Sequence, residues 1–221
     1  MRRVSALLAL LTVGAVVAGC GGSGSSGPPK ALLEPAKLTK KAPQLFDVTF
    51  HTTKGDFVVS VHRTWAPKGA DRFYNLVKNH FYDGQKIFRV VPSFVVQFGI
   101  SKFPAVSQAW QDAKISDDTI TVQHQRGAVA FASAGPDTRT TQVFIDLANN
   151  SQLNLDVYAP FAAVTQGMHV VDSLYSGYGD QPTPHQQEMT EQGNAYFDKA
   201  WPKLDEIKST TVSNEENPAL P

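Results

Sequence analysis

The chain is short of cysteine and of net charge, and both shortages exclude classes of protein. Its 221 residues include one cysteine, so no disulfide can form within the chain. Lysine and arginine together number 20, as do aspartate and glutamate, and no dense basic patch stands out. This balance argues against nucleic acid as a partner.

The usual signatures of metal, nucleotide and covalent catalysis are also missing. The sequence has no cysteine pair, no His-Glu-x-x-His, no Gly-x-Ser-x-Gly and no glycine-rich phosphate loop. The six histidines lack the short spacing typical of metal ligands, and we interpret each as a surface or strand residue: His51, His62, His80, His124, His169 and His185. No metal or cofactor is predicted.

The first 20 residues have the layout of an export signal. Arg2-Arg3 precede the apolar run Val4–Val17, which only small residues interrupt. The segment Val17–Cys20 resembles the lipobox of bacterial lipoproteins, where the cysteine is lipidated and the signal is cut before it. An uncleaved membrane helix is the alternative, but the run is shorter than the roughly 20 apolar residues that a span needs. We therefore predict a signal peptide at 1–19 and a lipidated Cys20 that anchors the protein outside the cytoplasm, on the membrane of a bacterial cell envelope.

The residues after the predicted anchor indicate a tether followed by one domain. Gly21–Pro29 consists of glycine, serine and proline, and Lys30–Pro43 mixes lysine and proline with scattered leucine. We place the lipidated cysteine and a flexible tether at 20–45, the domain at 46–212 and a loose tail at 213–221.

Apolar periodicity within the domain predicts many short strands and a few helices. Val48–Phe50 and Phe57–Val61 form a candidate hairpin, and Pro67 opens a helix whose apolar spacing continues to Phe81. Two more helices are predicted at Gly167–Tyr175 and Met189–Ala200. The other candidate strands are Lys86–Val91, Phe94–Gly99, Ala128–Ala132, Gln142–Ile145, Phe161–Val164 and the extended segment Leu204–Val212. Such a series is typical of a closed or strongly curved antiparallel sheet.

Two clusters carry a chemical signal that periodicity alone does not. Phe88–Gln97 places Arg89 within an apolar stretch, and an arginine is expensive to bury unpaired. If strand alternation puts Arg89 on the same face as Phe94 or Gln97, the guanidinium stands beside an aromatic ring in a cleft. The second cluster, Ala130–Asp137, ends a strand in a Gly-Pro turn.

These clusters resemble the best-known segments of cyclophilins, Phe-His-Arg-Val-Ile-Pro-Gly-Phe-x-x-Gln-Gly-Gly and Ala-Asn-Ala-Gly-Pro-x-Thr-x-x-Ser-Gln-Phe-Phe-Ile. Spacing and residue type agree at Arg89–Gln97 and at Ala132–Ile145, and the resemblance extends from about Val48 to Leu174. It implies a mainly β fold, a closed antiparallel β-barrel with two or three capping helices. It also implies peptidyl-prolyl cis/trans isomerase activity on proline-containing polypeptides without a cofactor, and we expect a monomer.

The resemblance assigns roles to individual residues. Arg89 is the catalytic arginine, Gln97 orients it or contacts the substrate, and Gln142 matches the second glutamine of the family. The backbone of Ala132 and Ser133 binds the peptide. The pocket for the proline ring has Tyr158 at its edge and is lined by Phe94, Val95, Phe144 and Leu153.

The sequence departs from the family pattern at several places. Ser133 replaces the usual asparagine and Gln152 stands where eukaryotic members often have tryptophan, which bears on substrate preference and cyclosporin binding. Phe98–Ile100 replaces Gly-Gly-Asp and leads into a loop that contains Trp110. This tryptophan could line the pocket rim or fill the core, and we predict the core.

Without the resemblance, Arg89 is also compatible with a structural ion-pair residue, the glutamines with polar residues of an edge strand, and the apolar lining with ordinary core. Two other functions therefore stay open. One is a chaperone or scaffold module that binds proline segments with little turnover. The other is a lipoprotein whose barrel serves only structure or adhesion.

Overall fold

The computed structural model describes residues 27–155 and 157–217, and a curled sheet of nine strands is its framework. The predicted signal peptide at 1–19, the predicted lipidation site Cys20 and the end of the predicted tail at 218–221 lie outside the described residues. The strands are β1 (Leu45–Thr52), β2 (Gly55–His62), β3 (Gln85–Lys86), β4 (Arg89–Val91), β5 (Val95–Phe98), β6 (Ala128–Phe131), β7 (Val143–Asp146), β8 (Pro160–Gln166) and β9 (Glu206–Glu216).

The strands pair in the order β3-β9-β1-β2-β8-β6-β7-β5-β4, and every named pair is antiparallel. The predicted mainly β, antiparallel fold is confirmed. Only Ile87 and Phe88 separate the two edge strands β3 and β4 along the chain. The covalent backbone thus links the two edges of the sheet, although no ladder of hydrogen bonds joins β3 to β4 in the described residues.

Five short α-helices accompany the sheet in the described ranges, where two or three were expected. They are α1 (Pro67–Lys78), α2 (Pro104–Trp110), α3 (Met168–Asp172), α4 (Gln186–Gln192) and α5 (Asn194–Ala200). Gly193 divides the single helix predicted at Met189–Ala200, because its φ of +60° lies outside the range of a right-handed helix. A side chain at this position would clash with the carbonyl oxygen of Lys102. The chain therefore turns at this glycine before α5 begins.

The core lies between the concave face of the sheet and α1. Burial alternates along β1, so Phe46, Val48 and Phe50 face inward. Phe50 stacks on Phe57 of β2 with ring centroids 4.9 Å apart, and α1 contributes Phe73. Each such side chain stabilises the fold by about 1.5–3 kcal/mol through burial.

The structure corrects the predicted flexible tether at 20–45, because Leu32, Leu38 and Ala42 within it pack on the main core. Leu32 is 1% exposed, and its carbonyl oxygen accepts a 2.8 Å hydrogen bond from Nε1 of Trp110. The backbone N–H of Ala42 donates to Asp71 Oδ1 of α1 at 2.8 Å. The scattered leucines were interpreted as linker composition, whereas Leu32 anchors a strap (residues 30–43). Trp110 is 2% exposed, so its prediction as a core residue is confirmed.

The prediction of a loose tail at 213–221 places the end of the folded domain too early. Strand β9 continues to Glu216, which pairs with Leu45 of β1. The Tyr74 hydroxyl donates a hydrogen bond to Glu215, and this bond holds the pKa of the Glu215 carboxyl below its usual range. Burial is the main cause that raises the pKa of Tyr74 to about 12. Residues 213–216 therefore belong to the folded domain.

Candidate active site

The β4–β5 hairpin places an arginine and a glutamine side by side. Arg89 lies directly opposite Gln97 in the antiparallel register, so the two side chains leave the same face of the sheet. The Nη1 of Arg89 donates to Oε1 of Gln97 at 3.0 Å. The hairpin turn brings Phe94 beneath the guanidinium, with Cζ 5.4 Å from the ring centroid. The predicted contact of this arginine with an aromatic ring is confirmed.

A line of side-chain amides continues from this pair. Gln97 Nε2 donates to Gln142 Oε1 at 2.9 Å, and Gln142 Nε2 donates to Gln186 Oε1 at 2.8 Å. The backbone just after β5 comes very close to Gln142 at Gly99, where φ is +117° and a Cβ would lie 2.6 Å from the Gln142 Cα. A side chain at Gly99 would push the two glutamine-bearing segments apart.

An apolar floor lies beside these polar groups. Val95, Ala130 and Phe144 form a small buried cluster distinct from the main core, and four further side chains pack against it: Phe94, Ala132, Leu153 and Tyr158. The buried Asn150 fixes one wall, because its Nδ2 donates to the Phe94 carbonyl at 2.9 Å. The floor is therefore held by hydrogen bonds between neighbouring loops as well as by packing.

These groups enclose a cavity of about 280 Å³. Its lining comprises nine of the residues predicted from sequence, namely Arg89, Phe94, Val95, Gln97, Ala132, Ser133, Phe144, Leu153 and Tyr158. Gln142 lines an adjoining cavity of about 220 Å³ that shares Gln97, Ala132 and Ser133 with the first. The structure thus brings the predicted domain residues together at one place on the sheet.

Ser133, which stands where the family pattern has asparagine, turns its side chain into its own loop. Its hydroxyl contacts the carbonyl oxygen of Gly135 and lies 2.9 Å from Oγ1 of Thr138. The loop after β6 is therefore held by its own hydroxyl groups.

Sequence reasoning missed the buried histidine behind the apolar floor. His124 is 1% exposed, so its interpretation as a surface or strand residue is wrong. Its Nδ1 lies 2.7 Å from Asp146 Oδ2, its Nε2 lies 2.6 Å from the Tyr158 carbonyl oxygen, and its ring stacks on Phe144. The histidine ties three segments of the pocket wall together.

Two residues from the end of the chain were also missed. Asp180 forms an ion pair with Nε of Arg89, and Gln186 ends the line of amides. Asp180 lies 91 positions beyond Arg89 in a stretch without apolar periodicity, and no spacing signal points to it. Only the folded chain reveals this contact.

Buried polar groups support the site from below. The Tyr82 hydroxyl donates to the Thr141 carbonyl at 3.0 Å, and burial raises the pKa of Tyr82 well above its ordinary value, so this donor stays neutral. Arg72 donates to the Thr140 carbonyl at 3.0 Å. Burial lowers the pKa of Arg72 to about 10, which leaves it charged at neutral pH. Both side chains fix the backbone that leads into Gln142.

Chemically, the arrangement offers fixed N–H donors beside an apolar cavity. A ligand with an apolar ring and a neighbouring hydrogen-bond acceptor would satisfy both. Within the residues that the structure describes, no group of three or more histidine, cysteine, aspartate or glutamate side chains could hold a metal ion. No helix in the same part of the chain is long and apolar enough to cross a membrane.

Comparison with known proteins identifies the family. A family model described as "Cyclophilin type peptidyl-prolyl cis-trans isomerase/CLD" matches residues 47–193. A peptidyl-prolyl cis-trans isomerase of Acinetobacter baylyi is 33% identical over 132 residues, which cover 58% of this chain and 70% of the relative. Peptidyl-prolyl cis-trans isomerase B of Escherichia coli is 30% identical over 135 residues, which cover 58% of this chain and 82% of the relative.

A solved structure supports the same fold. The cyclophilin-type peptidyl-prolyl cis-trans isomerase of Cryptosporidium parvum aligns with a TM-score of 0.58 at 19% identity, over 78% of this chain and 99% of the other. Because the family match spans more than half of the chain and includes the strands that carry the cavity, this protein belongs to the cyclophilin-type peptidyl-prolyl cis-trans isomerases.

Proposed function

We propose that this isomerase accelerates X-Pro bond rotation in proteins outside the cytoplasm, with Arg89 as the group that stabilises the twisted bond. Rotation must cross a barrier of roughly 18–20 kcal/mol, because amide resonance makes the bond partly double. Twisting breaks this resonance and returns a lone pair to the prolyl nitrogen. A donor that bonds the twisted form better than either planar form lowers the barrier.

Arg89 has the placement that such a donor needs. Its side chain is only 20% exposed, Gln97 accepts from one of its nitrogens, and it stands at the margin of the apolar cavity. This fixed guanidinium beside an apolar floor is the observation that carries the proposal. The floor would grip the proline ring while the preceding carbonyl swings past the arginine, and it would keep out water that competes for the donor.

The proposed substrate is an accessible X-Pro segment in an unfolded or mobile polypeptide. A related structure of the Cryptosporidium parvum isomerase was obtained in the presence of the dipeptide Ala-Pro, and that protein aligns here with a TM-score of 0.57. The apolar residues Phe94, Phe144 and Leu153 suit a proline ring in this chain.

The proposed location rests on the N-terminal sequence. Val17–Cys20 resembles a lipobox, and the apolar run that precedes it follows two arginines. We propose that a lipid on Cys20 holds the domain at the bacterial cell-envelope membrane, where its clients would be newly exported proteins that still have prolyl bonds to isomerise.

Substitution of Arg89 tests the proposed chemistry. We expect Arg89→Ala to lower kcat/KM for an X-Pro peptide about a hundred- to a thousandfold, the usual cost of removing a preorganised donor. Arg89→Lys should restore only part, because an ammonium group cannot reproduce the planar fork of a guanidinium. NMR exchange on a proline tetrapeptide measures the rate, and a melting curve checks the fold of each variant.

Arg126→Ala is the matched control, because Arg126 also forms an exposed ion pair, with Asp172 of α3, and does not line the cavity. Near-full activity of a folded Arg89→Ala protein would contradict the role of Arg89. A wild-type protein that binds the peptide without accelerating its exchange would instead indicate a proline-binding module.

A further inference from the structure

The segment between α3 and β9 forms a lobe beside the cavity. This C-terminal lobe (residues 175–204) contains α4 and α5 and has its own apolar cluster, in which Met189, Phe197 and Leu204 pack with Phe88 and Ile100. Phe88 immediately precedes Arg89 in the chain. The lobe is therefore anchored one residue away from the arginine.

The lobe presents a carboxylate to that arginine. Asp180 Oδ1 accepts a hydrogen bond from Nε of Arg89 and forms an ion pair with it. The turn that carries Asp180 is held by its own backbone, because Gln181 donates to the Tyr178 carbonyl and Thr183 donates to the Asp180 carbonyl, both at 3.0 Å. The Tyr178 ring packs edge-on against Trp201, with centroids 5.0 Å apart. The carboxylate thus comes from an ordered turn.

The guanidinium is consequently held at two different nitrogens. Asp180 engages Nε and Gln97 engages Nη1. Two contacts at separate points restrict rotation of the guanidinium plane, whereas one contact would leave it free to pivot. Within the described residues, no hydrogen bond engages Nη2 of Arg89, so this nitrogen remains available to a ligand.

The same lobe also reaches the far end of the polar line. Gln186, at the start of α4, accepts the 2.8 Å hydrogen bond from Gln142. Arg89, Gln97 and Gln142 are therefore bracketed by two side chains of the lobe. A segment that served only to cover the sheet edge would not need polar contacts at both ends of this line.

We propose that Asp180 is a positioning residue for Arg89 and sets the orientation in which the guanidinium meets the twisted prolyl bond. The inference rests on the proposed role of Arg89. Asp180 acts through that arginine and needs no contact with substrate. Because orientation matters most in the transition state, loss of Asp180 should lower kcat more than it raises KM.

The test compares Asp180→Ala and Asp180→Asn with Asp172→Ala. Asp172 is a suitable control, because it pairs with Arg126 at a similarly exposed position and does not line the cavity. We expect Asp180→Ala to lower kcat about tenfold with KM within about twofold, since small misplacements of a catalytic group cost up to about a hundredfold. Asp180→Asn should recover part of the loss, because an amide oxygen still accepts from Nε. Asp172→Ala should match the wild type.

Two further measurements assign the effect. In an Arg89→Ala background, Asp180→Ala should cause no additional loss, because residues that act as a unit are not additive. The Nε–H resonance of Arg89 should shift in Asp180→Ala and stay in place in Asp172→Ala. An unchanged kcat in Asp180→Ala, or an equal loss with and without Arg89, would overturn the inference and leave Arg89 in its role. Full activity of Arg89→Ala would overturn the proposed function itself.

Discussion

At the scale of single residues, the side chains of this site hold one another in place. Arg89 contacts Gln97 and the Phe94 ring within its own hairpin, and Asp180 in the C-terminal lobe. A guanidinium held in this way is ready to donate without first reorganising, which is the main requirement of electrostatic catalysis. The exposed Gln152, by contrast, makes a long 3.5 Å contact with Asn150.

Gln152 leads to a prediction about drug sensitivity. Sensitive cyclophilins have a tryptophan at the matching position, whose indole covers the drug ring and donates a hydrogen bond to it. We expect cyclosporin to inhibit this chain weakly and Gln152→Trp to lower the inhibition constant about tenfold, since one buried aromatic with a hydrogen bond contributes about 1–3 kcal/mol. Titration of the drug against isomerase activity measures both proteins, with Gln152→Ala as the control. Equal inhibition of all three would contradict the prediction.

Local sequence could predict the hairpin residues and could not predict Asp180. Arg89, Phe94 and Gln97 lie within nine positions, and strand alternation across one turn determines which of them share a face. Asp180 reaches the same point from 91 positions away, through a lobe whose fold depends on packing. The burial of His124 could not be predicted for a similar reason, because its partners Asp146 and the Tyr158 carbonyl lie 22 and 34 positions away.

At the scale of elements, strands were easier to predict than the segments around them. Alternation and bounding turns located the strands, whereas α2 spans only seven residues, too few to show a helical period, and the apolar residues of the strap at 30–43 follow no regular spacing. The strap is held by Leu32 and by backbone hydrogen bonds that have no sequence signature. Composition rich in lysine and proline is compatible with both a free linker and a docked strap.

A pair of adjacent leucines tests the strap. Leu32 is 1% exposed and Leu33 is 40% exposed. Removing a buried leucine side chain lowers the free energy of unfolding by about 2–5 kcal/mol. Here the loss cannot exceed the free energy with which the strap docks on the domain, because the strap can detach by itself. We expect Leu32→Ala to lower the Tm and to make residues 30–43 sensitive to proteolysis, while Leu33→Ala leaves both unchanged. Similar behaviour of the two variants would mean that the strap does not depend on this contact.

At the scale of the whole molecule, the docked strap shortens the predicted connection to the membrane. Only Gly21–Pro29 then remains for the predicted tether, and a glycine- and serine-rich linker of nine residues has a root-mean-square reach of about 15–18 Å. The domain would thus work close to the lipid surface, where exported chains emerge.

Replacement of the proposed anchor tests this arrangement. We expect Cys20→Ser to give an unprocessed precursor or a released soluble protein, because a serine cannot take the thioether lipid, and a multiply acylated anchor is what holds firmly. Cell fractionation with lipid labelling measures the outcome. The domain of the variant should retain wild-type isomerase activity, since Cys20 precedes the described residues. Normal labelling and membrane retention of Cys20→Ser would contradict the proposed anchor.

The position of β9 has a consequence for the order in which the molecule is made. This strand is the last of the described strands, yet it lies between β3 and β1 in the sheet and pairs with both. During synthesis, β3 and one edge of β1 have no strand partner until β9 has left the ribosome, so the sheet cannot be completed before then. An unfinished chain therefore exposes an unpaired edge of β1, and such an edge can pair with another chain.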